Sequence, residues 1–264
     1  MFKKIILAAL VVGTAAFAQI NAKFGADAAF TFGTMWGENG DKLHNSWGPG
    51  FAGGLSAKIA ISSSLSFITG LNFEYRKVSS DFLSEGLIDL IKKAAKQEYG
   101  RYYSTDEIRH ELGCSSDYSD ECMLDMLTLI DAAFSFKYLT VPLVIRYNMN
   151  PDFFVEGGLS FAFNLSAYFD MSYESRSNNI EISSNSVNPV ELGAVLGLGY
   201  SLLPNLEFNL RFDLGLTDMI EGRKALASIF STMGEDAEVF IPYLESNYGF
   251  KNMRFQAGLT FWFN

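Results

Sequence analysis

At 264 residues, with a formal net charge of −10 and a pI near 4.7, the chain is acidic, which argues against a nucleic-acid partner. Its 24 Phe, 12 Tyr and 23 Gly against only 6 Pro favour a β-rich single domain with many small inward positions. Beyond the N-terminus no apolar run approaches the roughly 20 residues of a helical span, so no helical span is expected there, while alternating membrane strands stay open.

Lys3 and Lys4 precede an apolar stretch over residues 5–12, and Ala16, Phe17 and Ala18 give the small-x-small pattern of a secretory signal over residues 1–18. Cleavage is expected after Ala18, leaving residues 19–264 as the domain. Gln19 is not Cys, so nothing points to a lipoprotein.

A first strand follows, with Phe24, Ala26, Ala28, Phe30, Phe32, Thr34 and Trp36 on one face and Gly25, Asp27, Ala29, Thr31 and Gly33 on the other. After a Gly-rich stretch over 37–50, a second strand sends Phe51, Gly53, Leu55, Ala57, Ile59 and Ile61 outward and Gly54, Ser56 and Lys58 inward. Ser62, Ser63 and Ser64 make a tight turn. The third strand carries Leu65, Phe67, Thr69, Leu71, Phe73 and Tyr75 outward, with Ser66, Gly70, Asn72, Glu74 and Arg76 inward.

Here the period changes from two to about 3.6. Leu83, Leu87, Ile88, Ile91 and Ala95 form a helical stripe; Ser104 with Glu107 is a capping-box pattern ended by Gly113; a third helix is predicted over 121–133. Cys114 and Cys122 lie close together in an exported chain and are expected to form a disulfide stapling the second helix to the third. The result is a helical cap over about 78–134, inserted between strands 3 and 4.

The fourth strand resumes at Tyr138, with Leu139, Val141, Leu143, Ile145 and Tyr147 outward and Thr140, Val144, Arg146 and Asn148 inward. Pro142 cannot donate to a ladder, so a bulge is expected beside it. After a turn at Asn150, Pro151 and Asp152, the fifth strand places Val155, Gly157, Leu159, Phe161, Phe163, Leu165, Ala167, Phe169 and Tyr173 outward against Glu156, Ser160, Asn164 and Ser166. Residues 174–188 read as a loop or an extended hairpin. The sixth strand turns Glu191, Gly193, Gly197 and Gly199 inward, and the seventh turns in Glu207, Asn209, Arg211 and Asp213. A long connection then holds an amphipathic helix near Leu226, Ile229, Phe230 and Met233.

The last strand puts Met253, Phe255, Ala257, Leu259, Phe261 and Phe263 outward and Arg254, Gln256, Gly258, Thr260 and Trp262 inward. It resembles the closing strand of bacterial outer-membrane barrels, with Gln256, Gly258, Phe261 and Phe263 in the places of the assembly signal and Asn264 overhanging by one residue. Turns after strands 2, 4 and 6 are short and the other connections long, the asymmetry of periplasmic turns and extracellular loops. A strand of about eleven residues, tilted about 40°, rises roughly 27 Å and suits the membrane. Trp36, Tyr75, Tyr147, Tyr173 and Trp262 are expected in the interfacial girdles. The predicted fold is therefore an all-β, eight-stranded antiparallel transmembrane barrel.

Tyr138, Leu139, Thr140, Val141, Pro142 and Leu143 with Tyr147, then Gly197, Leu198, Gly199 and Tyr200, and Arg211 with Gly215, Leu216, Thr217 and Asp218, resemble motifs of the PorT-like outer-membrane β-barrel family. The resemblance implies the fold, the bacterial outer membrane as location, lipid and the barrel-assembly machinery as partners, and a secretion assembly as one setting. It carries over no catalytic residue.

Inward charges are numerous: Asp27, Glu74, Glu156, Glu191, Glu207 and Asp213 against Lys58, Arg76, Arg146, Arg211 and Arg254. They read as an internal plug of paired charges, or as a proton or ion path; eight strands enclose little more than their own side chains. His44 with Asp41 and Ser46 has the residue types of a hydrolase without evidence of geometry. Asp117, Asp120 and Glu121 lack the spacing of a calcium loop, and no cofactor or metal is expected. Within the cap, Met123, Met126, Leu127 and Ile130 either pack on the rim or offer a surface to a protein or glycan. A binding or adhesion scaffold without an open pore is the leading expectation, with a narrow transporter, a barrel enzyme or a secretion component as alternatives.

Overall fold

The structure is a computed structural model that describes residues 22–37, 45–80, 96, 104, 131–173, 176–221, 224–225, 227 and 249–263. Eight long strands make the wall: β1 (Ala22–Trp36), β3 (Gly48–Ala60), β4 (Leu65–Ser80), β5 (Asp131–Asn148), β6 (Phe153–Tyr173), β8 (Val190–Leu203), β9 (Leu206–Glu221) and β10 (Gly249–Trp262). Two short strands are added at one end. β2 (Asn45–Ser46) pairs with β4, and β7 (Arg176–Glu181) folds back on β6 as a hairpin.

Every long strand is antiparallel to both neighbours, and β1 pairs with β3 on one side and β10 on the other, so the sheet closes. Closure removes the unpaired edge that lipid could not satisfy. One row of paired residues runs Ser66, Arg146, Glu156, Gly197, Arg211, Gln256, Thr31, Gly50 and then Arg76, returning to β4 ten residues above its start. That stagger is the tilt a closed barrel requires, and it brings residues distant in sequence to one level. The short turns at 61–64, 149–152 and 204–205 share one end, where the Asn150 side chain accepts from the amides of Asp152 and Phe153 at 3.0 and 2.7 Å.

The two-residue period holds over most of the wall. Phe30, Leu55, Leu196, Leu210 and Phe255 are exposed on the outside, while Ile68, Glu74, Val144, Arg146 and Asp213 are buried inside. The interior is layered. Next to the short turns lie Ile68, Val144, Val195 and Trp262. The ion pairs come next, and the end with the long connections is filled by Met35, Val78, Phe134, Phe136, Phe169, Met219 and Phe250, with Ile180, Ile182 and Val187 folding in.

Several expectations change. Leu165 is an extra residue on β6, because Lys137 pairs with Ser166 but Tyr138 with Asn164. A one-residue bulge exchanges the faces beyond it. Ala167 and Phe169, predicted to face lipid, are therefore buried in the interior cluster. No register shift occurs at Pro142, which stands opposite Ser160; on the β4 side the ladder skips Gly70 and Leu71 and resumes in the same register.

Trp262 is 3% exposed and sits inside, not in a girdle, since its even number keeps it in phase with Arg254 and Thr260. The cap boundaries of 78–134 also move inward: Val78 pairs with Phe134 and Ser80 with Ala132, so residues 131–133 are strand and not helix. Lys96, Lys224, Ala225 and Ala227 have helical backbone. The rest of the predicted helices, both cysteines, His44, Asp41 and the leader lie outside the described residues.

Face exchange at Leu165 yields a direct comparison. Phe169→Ala should destabilise by about 3–5 kcal/mol, as truncation of a buried aromatic does, whereas Tyr168→Ala on the outer face should cost under about 1 kcal/mol. Urea unfolding in lipid vesicles measures both; equal losses would place the two residues on equivalent faces.

Candidate functional site

The barrel interior concentrates the chemistry of the described residues. Arg146 is a hub at 1% exposure: its Nε and Nη2 donate to Glu156 Oε1 at 2.9 and 2.7 Å, and its Nη1 donates to Glu207 Oε2 at 2.6 Å. Lys58 Nζ reaches the other Glu207 oxygen at 2.8 Å, and Arg211 Nε reaches the other Glu156 oxygen at 2.7 Å. Five charges from β3, β5, β6 and β9 thus form one chain of pairs. The guanidinium of Arg146 also lies over the Phe154 ring, 3.7 Å from its centroid.

A second group lies toward the long connections. Arg76 donates to Glu74 at 2.7 Å and to Glu191 at 3.1 Å, and its guanidinium lies 4.2 Å from the Tyr138 ring centroid. Arg254 pairs with Glu74 and, at 2.9 Å, with Asp213. Thr140 donates to Glu74 at 2.8 Å and Ser160 to Asp213 at 2.7 Å. Asp27 is held by hydroxyls, accepting from Thr260 at 2.6 Å and from Ser56. A void of about 20 Å³ bordered by Asn72, Asp213, Arg254 and Gln256 leaves room for roughly one water.

Several pairs cross the lumen. Arg146 with Glu207, Lys58 with Glu207, Arg254 with Glu74 and Arg76 with Glu191 each join strands that are not neighbours in the ring. Others depend on missing side chains. Glu156, Gly197 and Arg211 are successive members of one row, and a Cβ on Gly197 would stand 3.0 Å from Arg211 Cγ and 3.3 Å from Glu156 Oε2. Gly193 likewise leaves space for the Ser160 to Asp213 bond, where a Cβ would stand 2.6 Å from the hydroxyl.

All eleven inward charges read from the sequence are thereby located, ten in ion pairs and Asp27 in hydrogen bonds. Arg211 and Asp213 stand two residues apart on the inward face of β9. Side chains two apart on one strand stand along it, however, and Arg211 turns across Gly197 to Glu156 while Asp213 takes Arg254, its row neighbour.

In the closing strand Gln256 and Gly258 face inward, Gly258 against Ala29, and Phe261 and Phe263 face outward with ring centroids 6.0 Å apart. The sequence reading missed the aromatic plug. Its signal was present: Phe134 and Phe136 keep the even phase of Thr140, Val144 and Arg146.

The geometry ranks the arginines. Arg146→Met leaves Glu156 and Glu207 short of a buried partner and should cost about 3–5 kcal/mol. Arg211→Met leaves Glu156 both of its Arg146 bonds and should cost about 1–3 kcal/mol. Unfolding midpoints in vesicles that reverse this order would contradict Arg146 as the hub.

The sequence model of the outer membrane protein beta-barrel domain matches residues 17–221. Among curated proteins, none matches the sequence. Solved structures to which the chain is similar include the attachment invasion locus protein Ail of Yersinia pestis, at 10% identity over 92% of this chain and 100% of that one, with a TM-score of 0.38. Neisserial surface protein A shares 10% identity over 92% and 99% of the two chains, with a TM-score of 0.41. OprG from Pseudomonas aeruginosa shares 12% over 93% and 97%, with a TM-score of 0.35. These likenesses add nothing to the family match. With that match over most of its length, the chain belongs to the outer membrane protein beta-barrel domain family, and its place is the bacterial outer membrane.

Proposed function

We propose that this protein is a membrane-anchored scaffold whose filled barrel conducts nothing and catalyses nothing, and whose long connections serve binding or adhesion at the cell surface. The observation that carries the reading is the interior. Cross-lumen ion pairs occupy its middle and an apolar layer occupies the end from which the long connections leave. A pore needs a continuous polar passage, and Phe134, Phe136 and Phe169, each at most 2% exposed, stand in its way.

The segment 81–130 is assigned the binding role, as a helical cap stapled by Cys114 and Cys122. Linking Ser80 to Asp131 requires no segment of that size, because closure cost rises only slowly with length and a short loop would do. Loops on a rigid scaffold often carry function. The resemblance to PorT-like proteins adds a secretion assembly to the candidate partners.

Purified protein in planar bilayers should give no steady single-channel current, and large steady currents would overturn the filled-barrel reading. Replacing residues 84–128 by a short Gly/Ser linker should leave a heat-modifiable barrel in the outer membrane and abolish partner capture by surface cross-linking. Equal capture by the shortened chain, or its failure to assemble, would make the segment something other than the binding element.

A further inference from the structure

The outer wall of the barrel is not smooth. On β10, Ala257 presents a single methyl where its row partners, Phe30 on β1 and Leu210 on β9, present large exposed side chains. One outward row nearer the long connections, Phe255 stands between Phe32 and Phe212. The result is an apolar groove of about 490 Å³ with Ala257 in its floor. That volume lies within the range of small-molecule sites, about 300–1,000 Å³. Trp47 stacks on Phe32 and on Phe255, with centroids 5.5 and 5.6 Å apart, and Phe255 lies 4.9 Å from Phe212. Rings packed in this way hold one another's orientation, so the hollow beside them stays open.

This wall faces the hydrocarbon of the outer membrane, so the occupant comes from the bilayer. The rim says which lipid fits. Lys251, Met253, Phe255 and Ala257 keep one outward phase along β10. The Lys251 ammonium lies over the ring of its β1 partner Trp36, 5.4 Å from the centroid. On the other side Lys251 pairs with Asp218 of β9, whose carboxylate covers Gly249, where a Cβ would stand 2.6 Å from Oδ2. A cation and an anion therefore stand together at the edge of the apolar wall, complementary to a headgroup that carries both a phosphate and an amine.

Depth supports the same occupant. Lys251 and Ala257 are six residues apart on β10, roughly 20 Å along the strand at about 3.3 Å per residue and, at a tilt of about 40°, roughly 15 Å in depth. One leaflet, half of a hydrocarbon core of about 30 Å, has that thickness. A lipid whose headgroup meets Lys251 lays the end of its tail in the groove.

We propose that this face holds one phospholipid of the phosphatidylethanolamine class, with an acyl chain in the groove over Ala257, its phosphate at Lys251 and its amine at Asp218. The site follows from the membrane location and does not depend on the role assigned to segment 81–130.

The test uses the full chain in detergent micelles, titrated with phosphatidylethanolamine or with a diacylglycerol of the same tails, and native mass spectrometry measures the lipid retained. Ala257→Trp fills the groove, Lys251→Gln removes the cation, and Leu259→Trp adds the same ring one outward position away from the groove floor. Heat-modifiable migration checks the fold of each, and the rim variant Lys251→Gln keeps the test decisive if Ala257→Trp does not assemble. The wild type and Leu259→Trp should retain one phosphatidylethanolamine in preference to diacylglycerol. Ala257→Trp should weaken both lipids about tenfold or more, and Lys251→Gln should lower phosphatidylethanolamine to the level of diacylglycerol. No retained lipid, equal retention of the two lipids by the wild type, or phosphatidylethanolamine retained undiminished in either folded variant overturns the proposal.

Discussion

A closed ring of eight strands has no spare room inside, and this chain fills that room with charge. Removing an ion from water costs several kcal/mol, so each interior carboxylate must find a cation or a set of hydrogen-bond donors within a space that admits almost no solvent. Arg146 meets this demand for two glutamates at once, and Arg254 for a glutamate and an aspartate. Bonds from β5 to β9 and from β4 to β10 tie facing walls together, so the interior opposes flattening of the cylinder as well as satisfying its own charges.

The glycines of β8 belong to the same constraint. A wall with a side chain at every inward position would keep β6 and β9 apart, but the row Glu156, Gly197, Arg211 lets two long side chains meet over a bare backbone. Register is then specified twice. Outside, apolar residues must face lipid; inside, each charge must meet its own partners, and a slip of one residue would reverse both conditions together.

Much of this was legible because alternation is a strong signal in a wall with lipid on one side and ions on the other. Strand identities, the phase of the closing strand and the inward set of charges could all be read from periodicity. The failures occur where the residue type fits either face. Ala167 and Phe169 suit lipid and an apolar plug equally, so nothing in their chemistry announced the extra residue at Leu165. Trp262 suits a girdle or a core, and only its phase decides. Pairing across the lumen was hidden for a different reason: it depends on stagger, and stagger is a property of the closed ring and not of any one strand.

The position of Arg254 and Trp262 on β10 has a consequence for the order of assembly. Without β10, Glu74 and Asp213 lack the arginine that joins them, and Ile68 and Val144 lack the indole that covers them. Until β10 meets β1, an open sheet would hold those carboxylates toward water, where they are well solvated and give no reason to curl. The final strand therefore brings the neutralising charge, the hydrophobic seal and the seam in one event. Partial barrels lacking it have little to gain from closing early.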